Sequence, residues 1–386
     1  MMRRLFFSLA TAFLLFAKSA SSMTAGDIQP MRVVQVDLDY VYDADPVQQQ
    51  RNLDALVARI ASMNVTTVFL QAFADPEGTE LASQVYFKTS QLPMRADLFA
   101  QAVEALQKGA KVKVYGWLPV LAFDIKDEAQ VLAWKSTTGR NDPDAKNYRR
   151  VSPFNLKARA DVFAIYEDMA RAAPIDGVLF HDDAMLSDFE DASPDALAFY
   201  AHAGLPTSIK DLRASPKAMQ KWTDFKTAAL TEFTLEIAQH VRAIRPSIQT
   251  ARNLYASIML NPQSEQWVGQ NYEQILKSYD YAAVEAMPQM EGIAEDDAKD
   301  WLKSLVAAAA QKPNGLQRTV FELQAVDWRK SDERAIPSDM LADEVAVIAE
   351  QGAVNFGYYP DDFVTDTPKA TIIHDAFSLQ TTAAQR

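Results

Sequence analysis

Acidic side chains interrupt two strongly apolar segments of this 386-residue sequence. Asp182 and Asp183 follow His181 directly after the apolar run VLF, and Glu322 stands between a phenylalanine and a leucine. A carboxylate in an apolar segment is costly unless it is paired, so its presence needs a reason. Two carboxylates in one cleft suit glycoside hydrolysis, in which a protonated acid gives its proton to the leaving oxygen and an ionised one is nucleophile, base or charge stabiliser. The aspartate pair is therefore a candidate for catalysis, and Glu322 for either a functional or a structural role.

Further acidic and aromatic residues follow the other predicted strands. A single carboxylate just past a strand is ordinarily a turn former or a helix cap, and Asp361 and Asp362 after Pro360 fit that role. Aromatic rings at these ends suit stacking on the apolar face of a sugar, although core packing is at least as common for any one ring. The remaining acidic residues are Asp37, Asp39, Asp43, Asp75, Asp124, Glu285, Glu291 and Asp327, and the aromatic residues are Tyr40, Tyr42, Trp117, Phe123, Tyr255, Trp328, Tyr358 and Tyr359.

Short β-branched and aromatic segments alternate with amphipathic helical segments from residue 32 onward. The predicted strands are RVVQVDLDY, TTVFLQAFA, KVYGWLPVLAF, DGVLFHDD, QTARNLYA, YAAVEAMP, RTVFELQAV and VNFGYYP, with seven clear helical segments between them and a short tail after the last. This alternation predicts a single α/β domain over residues 31–378, a (β/α)₈ TIM-type barrel, with a doubly wound sheet as the alternative. Neither a G-x-G-x-x-G motif after the first strand nor a P-loop occurs, so a nucleotide-binding form of that alternative has no support.

Two long polar segments, 124–153 and 187–216, follow the third and fourth predicted strands. In a barrel, the loops at the carboxyl ends of the strands build the active site. We therefore expect these segments to be elaborated loops that form walls of the cleft, and not domain boundaries.

The composition excludes several classes of protein. Apolar residues make up 48% and charged residues 23%, which is typical of a globular chain. Without cysteine there is neither a disulfide framework nor a thiolate metal site, and no two of the four histidines have helical zinc-motif spacing, so we expect neither a metal nor a cofactor. The net charge of −13 repels nucleic acid and attracts a cationic ligand.

The amino terminus has the features of a secretory signal peptide over residues 1–22. Two arginines precede the apolar run LFFSLATAFLLFA, and Ala20-Ser21-Ser22 supplies small residues for cleavage. The run is shorter than the roughly 20 residues that a membrane span needs, which disfavours a retained anchor. We expect an exported protein, periplasmic or secreted, with a short leader at 23–30, no membrane span, a polar tail at 379–386 and a mature net charge of −16, because removal of the segment takes away 3 of the cations.

Long stretches of the sequence resemble the carboxyl-terminal glycoside hydrolase domain of the PgaB family of poly-β-1,6-N-acetyl-D-glucosamine N-deacetylases. The stretches are MRVVQVDLDYVYD, TVFLQAFADP, YGWLPVLAFD, YRRVSPFN, DGVLFHDDAMLSDFEDAS, TARNLYA, KSYDY, FELQ and FGYYPDDF, from about residue 31 to residue 377. The resemblance implies a (β/α)₈ glycoside hydrolase domain that binds the partially deacetylated polymer in an acidic groove and cleaves it, with exopolysaccharide export machinery as a further partner. Because neither an amino-terminal deacetylase domain nor an anchoring cysteine is present, we expect no deacetylase activity and no lipid anchor.

The resemblance also implies roles for individual residues. Asp182 and Asp183 in FHDDA correspond to the catalytic region as a pair, without a choice between them, and Glu322 in FELQ is the second carboxylate or a sugar ligand. The role of Glu285 rests only on its place at a strand end. The expected substrate-binding residues are Asp37, Asp39, Tyr40, Asp75, Trp117, Asp124, His181, Arg252, Asn253, Glu291, Trp328, Tyr358 and Tyr359.

Three functions stay open on the sequence. The first is an exported endo-acting hydrolase of the partially deacetylated polymer. The second is a binding module that holds the polymer during export without cutting it, and the third is a hydrolase of another amino-sugar polymer, since a fold and a catalytic pair do not fix a substrate.

Overall fold

The computed structural model describes residues 30–79, 81–126, 129–142, 149–329 and 334–378. The predicted signal segment, all of the leader except residue 30 and the predicted polar tail lie outside the described residues. Within the described part, eight parallel strands pair in sequence order, and the last also pairs with the first, which closes a barrel. The prediction of a (β/α)₈ barrel is confirmed, and the doubly wound alternative is wrong because its sheet would remain open.

Each barrel strand is followed by a helix that packs on the outside. The strands are β1 (Arg32–Val36), β2 (Thr67–Gln71), β3 (Lys113–Leu118), β4 (Gly177–Phe180), β5 (Gln249–Tyr255), β6 (Tyr281–Ala286), β7 (Thr319–Gln324) and β8 (Asn355–Tyr359). The helices are α1 (Pro46–Ser62), α2 (Phe99–Ala105, continued by a π-helical turn to Ala110), α3 (Leu156–Ala172), α4 (Pro216–Ile244), α5 (Tyr272–Ser278), α6 (Glu295–Ala310), α7 (Ser338–Glu350) and α8 (Ala370–Ser378).

Local sequence explains where the helices begin and which face they bury. Asp45 caps α1 by accepting from the Val47 amide, and Pro46 occupies the first helical turn, where a missing amide hydrogen costs nothing. Ser215 and a proline repeat this arrangement at the start of α4. The apolar residues of α1 recur at helical spacing and lie buried against the barrel, as expected for an amphipathic helix.

The interior of the barrel is filled by side chains that alternate along each strand. Tyr115 lies across its lower part and donates from its hydroxyl to Gln249 Oε1 at 2.9 Å. A Cβ on the neighbouring Gly177 would lie 2.5 Å from the Tyr115 ring, so only glycine leaves room for that ring. Tyr115 therefore fills the interior near the amino ends of the strands, and the opposite end, at the carboxyl ends of the strands, is where barrels of this type bind their ligands.

Long loops surround that open end. As predicted, the loops after β3 (residues 119–155) and β4 (residues 181–215) are elaborated, and the second contains the short helices Pro194–His202 and Ile209–Leu212. The loop after β2 is also long and holds a small hairpin of Phe73–Ala74 with Gln84–Val85, which the sequence did not indicate. In the described part of the chain, every helix is too short or too polar to cross a bilayer.

Candidate active site

Asp182 lies at the end of β4, at the centre of the barrel mouth. Its Oδ1 is 2.9 Å from His181 Nδ1. Burial raises the pKa of Asp182, but the positive charge of His181, the Tyr255 hydroxyl and the charge of Arg252 outweigh it, so that the pKa falls to about 2. Asp182 is therefore an ionised carboxylate throughout the physiological pH range.

His181 is the cation of this mouth. Burial lowers the pKa of its imidazole, but the carboxylates of Asp182 and Asp183 more than offset this effect and raise it well above the usual range. Its ring lies 5.3 Å from the Trp117 ring, centroid to centroid. A protonated imidazole in contact with Asp182 explains how that carboxylate stays ionised although it is largely withdrawn from water.

Two glutamates face Asp182 from the next strands of the barrel. Glu285 on β6 and Glu322 on β7 are directly opposite each other in the strand register, and both are buried. Burial raises the pKa of Glu322 to about 8, although a hydrogen bond from Asn253 Nδ2, 2.6 Å from Glu322 Oε2, opposes that effect. Burial, together with the negative charge of Asp182, raises the pKa of Glu285 well above its usual range. Glu322 is therefore a protonated acid at neutral pH beside the ionised Asp182, and the pKa of Glu285 is shifted in the same direction.

Buried polar atoms without a protein partner are concentrated in the same mouth. Such atoms are rare in folded proteins, and each one needs an explanation. Among the described residues, those at the carboxyl ends of strands are Asp37 Oδ1, Trp117 Nε1, Asn253 Oδ1, Glu285 Oε2, Gln289 Oε1 and Glu322 Oε1. These atoms provide acceptors and donors for a polar ligand with several hydroxyl, amide or ammonium groups.

An aromatic wall borders the carboxylates. Tyr359 packs edge-on against Trp117 at 5.6 Å and stacks with Trp328 at 5.8 Å between ring centroids. The Tyr359 hydroxyl donates to Asp37 Oδ2 at 3.3 Å, and burial and the charge of Asp39 raise the pKa of Asp37 to about 7. A wall of flat rings beside hydrogen-bonding groups is a typical surface for a sugar ring.

Asp183 does not belong to the cleft, which corrects its prediction as a catalytic residue. It is fully buried, and its carboxylate accepts from the backbone amides of Val120, Leu121 and Ala122 at 2.5–3.0 Å. Both oxygens are used in this way, so Asp183 fixes the loop after β3 to the loop after β4. Asp182 and Asp183 lie in the turn that follows β4, and this turn directs Asp183 towards the amides after β3 while Asp182 faces the mouth.

Asp183→Asn should therefore destabilise the protein. It removes the negative charge that three backbone N–H groups share, and it places the side-chain NH₂ of asparagine, itself a donor, against those N–H donors. We expect a loss of about 2–3 kcal/mol in the free energy of unfolding, measured by denaturant titration. Asp182→Asn is the matched control, because the same substitution one residue earlier removes no such amide bonds. Equal stability of the two variants would contradict this role for Asp183.

Two residues predicted to contact the substrate, Tyr358 and Arg252, have side chains that point away from the barrel interior. Tyr358 is buried against the helices, where its hydroxyl donates to Asp361 Oδ1 at 2.6 Å, and Asp361 in turn pairs with Arg59 of α1. Arg252 points away from the interior and donates to backbone carbonyls of the loop after β4, including Ala184 O at 2.7 Å. Neither side chain reaches the cleft, so both predictions of substrate contact are corrected. The reason is that their neighbours Tyr359 and Asn253 occupy the inward positions of the same strands.

The other predicted residues lie at the rim or carry partners of their own. Asp39 accepts from Tyr86 at 2.5 Å and from Arg95 at 2.8 Å. Asp124 pairs with Arg149 at 2.6 Å. Tyr40, Asp75 and Glu291 lie in loops that follow barrel strands. Tyr40 is exposed, and the other two are half-buried.

Glu285 and Tyr255 are members of the site that the list of expected site residues left out. Glu285, like Glu322, is a carboxylate inside an apolar strand, but it was predicted only as a residue at a strand end. Tyr255 becomes significant only through its contact with Asp182. No three His, Asp or Glu side chains in the described ranges come together as metal ligands.

The sequence from residue 35 to residue 359 matches the family described as hypothetical glycosyl hydrolase family 13. The match covers most of the chain, including the end of β1 and the other seven barrel strands in full. The chain belongs to hypothetical glycosyl hydrolase family 13. Glycoside hydrolysis generally needs one protonated and one ionised carboxyl group, and the mouth contains carboxyl groups in both states.

Known relatives agree with this assignment to the family. The chain is 42% identical over 359 residues to the poly-beta-1,6-N-acetyl-D-glucosamine N-deacetylase of Escherichia coli K12, covering 92% of this chain and 53% of the relative. The chain thus spans about half the length of the curated relatives that it matches.

Solved structures extend the comparison to three dimensions. The PgaB (BpsB) glycoside hydrolase domain from Bordetella bronchiseptica is 44% identical and superposes with a TM-score of 0.84, covering 91% of this chain and 99% of that domain. An alpha-L-fucosidase from Paenibacillus thiaminolyticus, 14% identical with a TM-score of 0.64 over 92% of this chain and 50% of the fucosidase, shares the fold alone.

Proposed function

We propose that this glycosyl hydrolase domain cleaves internal glycosidic bonds of partially deacetylated poly-β-1,6-N-acetyl-D-glucosamine, with Asp182 and Glu322 as its catalytic carboxylates. Asp182 acts as the ionised group that attacks, activates water or stabilises positive charge at the sugar. Glu322 donates the proton to the leaving oxygen. Glu285 stays protonated and hydrogen-bonds the bound sugar.

The separation of the carboxyl pKa values in one mouth carries the proposal. Asp182 has a pKa of about 2 and Glu322 of about 8, so one is ionised and the other protonated at the same pH. That difference is what a glycosidase needs from its two carboxylates, whereas a module that only binds has no use for it. The orphaned polar atoms around the two groups support a polar substrate at the same place.

The substrate is inferred from the relatives and from charge. The names of the relatives refer to poly-beta-1,6-N-acetyl-D-glucosamine and to a glycoside hydrolase domain. A glucosamine unit carries an ammonium group near neutral pH, which the ionised carboxylate of Asp182 attracts, while an N-acetylated unit is neutral. The chain as a whole has a net charge of −13, which strengthens the attraction. The signal-like segment at residues 1–22 supports action on the polymer outside the cytoplasm, beside the machinery that exports it.

The proposal predicts oligosaccharide products when the purified protein is incubated with the partially deacetylated polymer. Mass spectrometry of the reaction would detect them, and internal cleavage would give several lengths at once. Binding without products would instead support a module that holds the polymer during export.

Substrate charge should control the reaction. We expect faster cleavage of partially deacetylated than of fully acetylated polymer at matched length, because only the former carries ammonium groups. Binding should weaken as the salt concentration rises from about 50 to about 500 mM, since the Debye length shrinks to a few ångströms. Part of the attraction should survive where an ammonium meets a desolvated carboxylate. Equal rates on both polymers, insensitive to salt, would contradict the electrostatic part of the proposal.

A further inference from the structure

Three buried cations lie beneath the loop that carries Asp182, and the proposed reaction uses none of them directly. Arg150, Lys226 and Arg252 come from the loop after β3, from α4 and from β5, and each is at most 3% exposed. Lysine and arginine are almost never buried to this degree unless they are paired. Arg150 is paired with the buried Glu190 at 2.8 Å, and the burial of three cations at one place in the fold needs an explanation.

All three side chains donate to backbone carbonyls of residues 180–187, the end of β4 and the start of its loop. Arg252 binds the carbonyls of Phe180, His181 and Ala184, Arg150 binds that of Met185 at 2.7 Å, and Lys226 binds those of Leu186 and Ser187. The two carbonyls between them, those of residues 182 and 183, accept from the Gln270 side chain and from a backbone amide of the same loop. Every carbonyl from 180 to 187 is thus occupied.

We infer that Arg150, Lys226 and Arg252 form a cationic cradle that positions Asp182 for the reaction. The inference deepens the proposed function and rests on it for the role of Asp182. A loop without regular secondary structure has no ladder of backbone hydrogen bonds to hold it, so its orphan carbonyls need other donors. Side chains from the loop after β3, from α4 and from β5 supply those donors and restrict the motion of the loop.

Arg252 also affects the charge of Asp182. It lies near enough to Asp182 for its charge to help keep the pKa of that carboxylate low. Asp183 adds a third constraint by tying the same loop to the amides after β3. The cradle therefore fixes both the place and the charge of Asp182 without contact between its cations and the substrate, and its members are positioning residues.

Lys226 is the residue of the cradle whose charge changes near neutral pH. Burial lowers the pKa of its ammonium to about 7, opposed by the nearby carboxylates of Glu190, Asp188 and Asp191 and assisted by the charge of Arg213. Its Nζ also lies 4.0 Å from the centre of the Trp222 ring. Above about pH 7 the amine becomes neutral and holds the carbonyl of Ser187 less strongly, whereas both arginines keep their charge.

The test is Lys226→Met, which keeps the length of the side chain and removes the donor. At 25 °C, far below the unfolding transition, we expect kcat to fall about tenfold or more while KM changes less than about twofold, because Asp182 moves and the rest of the cleft does not. Hydrogen–deuterium exchange of peptides covering residues 181–190 should become faster. Wild-type kcat together with wild-type exchange would overturn the inference, and so would a loss of kcat without faster exchange.

Arg252→Lys is the second variant, in case the first does not fold. It keeps the positive charge but loses the fork that binds several carbonyls at once. We expect the same loss of kcat at unchanged KM and faster exchange in the same peptides. Faster exchange with unchanged kcat would show that the loop is held but that its fixation is not needed for catalysis, which overturns the positioning role.

A measurement on the wild-type protein separates the cradle from the proposed function. Exchange of peptides covering residues 186–190, corrected for the intrinsic dependence on pH, should rise in a step near pH 7 as Lys226 loses its proton. The step does not require hydrolysis, so it can succeed where a search for products fails. Absence of the step would contradict the part assigned to Lys226, whatever the activity of the protein.

Discussion

Asp182→Asn should lower the rate of polymer cleavage by about 10³-fold or more, with little change in melting temperature. The substitution removes the ionised carboxylate from the mouth, and an amide can neither attack a sugar nor accept a proton. The side chain keeps its shape, and His181, which loses its pairing with Asp182, still lies 3.7 Å from Asp183 Oδ1 and can lose its proton. Initial rates of oligosaccharide release at saturating substrate measure the effect, and thermal unfolding measures the stability.

The adjacent residue supplies the contrast. Asp183→Asn should chiefly lower stability, because that carboxylate binds three backbone amides and does not face the cleft. A protein in which Asp182→Asn retains wild-type turnover would exclude Asp182 from the reaction. A variant that binds the polymer as tightly as the wild type but does not cut it would locate the loss in the chemical step.

The second large effect concerns pH and Glu322. Because the pKa of Glu322 is about 8, the group is protonated and able to donate below that pH and is ionised above it. We expect kcat to fall as the pH rises through about 8. Asp182, with a pKa of about 2, contributes no loss of activity between pH 5 and pH 7, so the two carboxyl groups set a plateau over that range, and above pH 7 the titration of Lys226 adds to the fall caused by Glu322.

Glu322→Gln should lower kcat by about 10²-fold, less than Asp182→Asn, since general acid catalysis contributes about 10²–10⁴-fold. The residual activity of this variant should no longer decline near pH 8, because the titrating acid is gone. Glu285→Gln is the matched control on the neighbouring strand: it should raise KM more than it lowers kcat and should keep the decline near pH 8. If the decline persists in Glu322→Gln and disappears in Glu285→Gln, the two glutamates have the opposite roles.

The raised pKa of Glu322 should also make the free energy of unfolding depend on pH, which denaturant titrations at several pH values measure. Glu322 has a higher pKa in the folded state than in the unfolded chain, so the folded state binds more protons between about pH 4.5 and pH 8. Its contribution to stability is therefore complete below about pH 4.5 and is lost as the pH rises through 8. A cationic sugar bound beside the group would lower that pKa and recover part of the loss.

Particular residues mark how far sequence reasoning reached into the site. Glu322 was predicted as a site residue because a carboxylate inside an apolar strand is expensive, and Asp182 was predicted together with Asp183 because the pair directly follows an apolar run. The same argument applied to Glu285, which the structure places opposite Glu322. Trp117, His181 and Tyr359 were assigned to the mouth from their positions at strand ends, and the structure groups them there.

By itself the sequence determined the alternation of strands and helices, and with it the barrel, because apolar periodicity and turn residues act over a few neighbouring positions. Only the tertiary structure decided which neighbour in each pair faces the mouth: Asp182 and not Asp183, Asn253 and not Arg252, Tyr359 and not Tyr358. The physical reason is that strands of a parallel barrel are buried on both faces, so hydrophobicity does not distinguish inside from outside. The closure of eight strands and the packing of helices against them choose the face, and that choice also sets which carboxylates share one low-dielectric space.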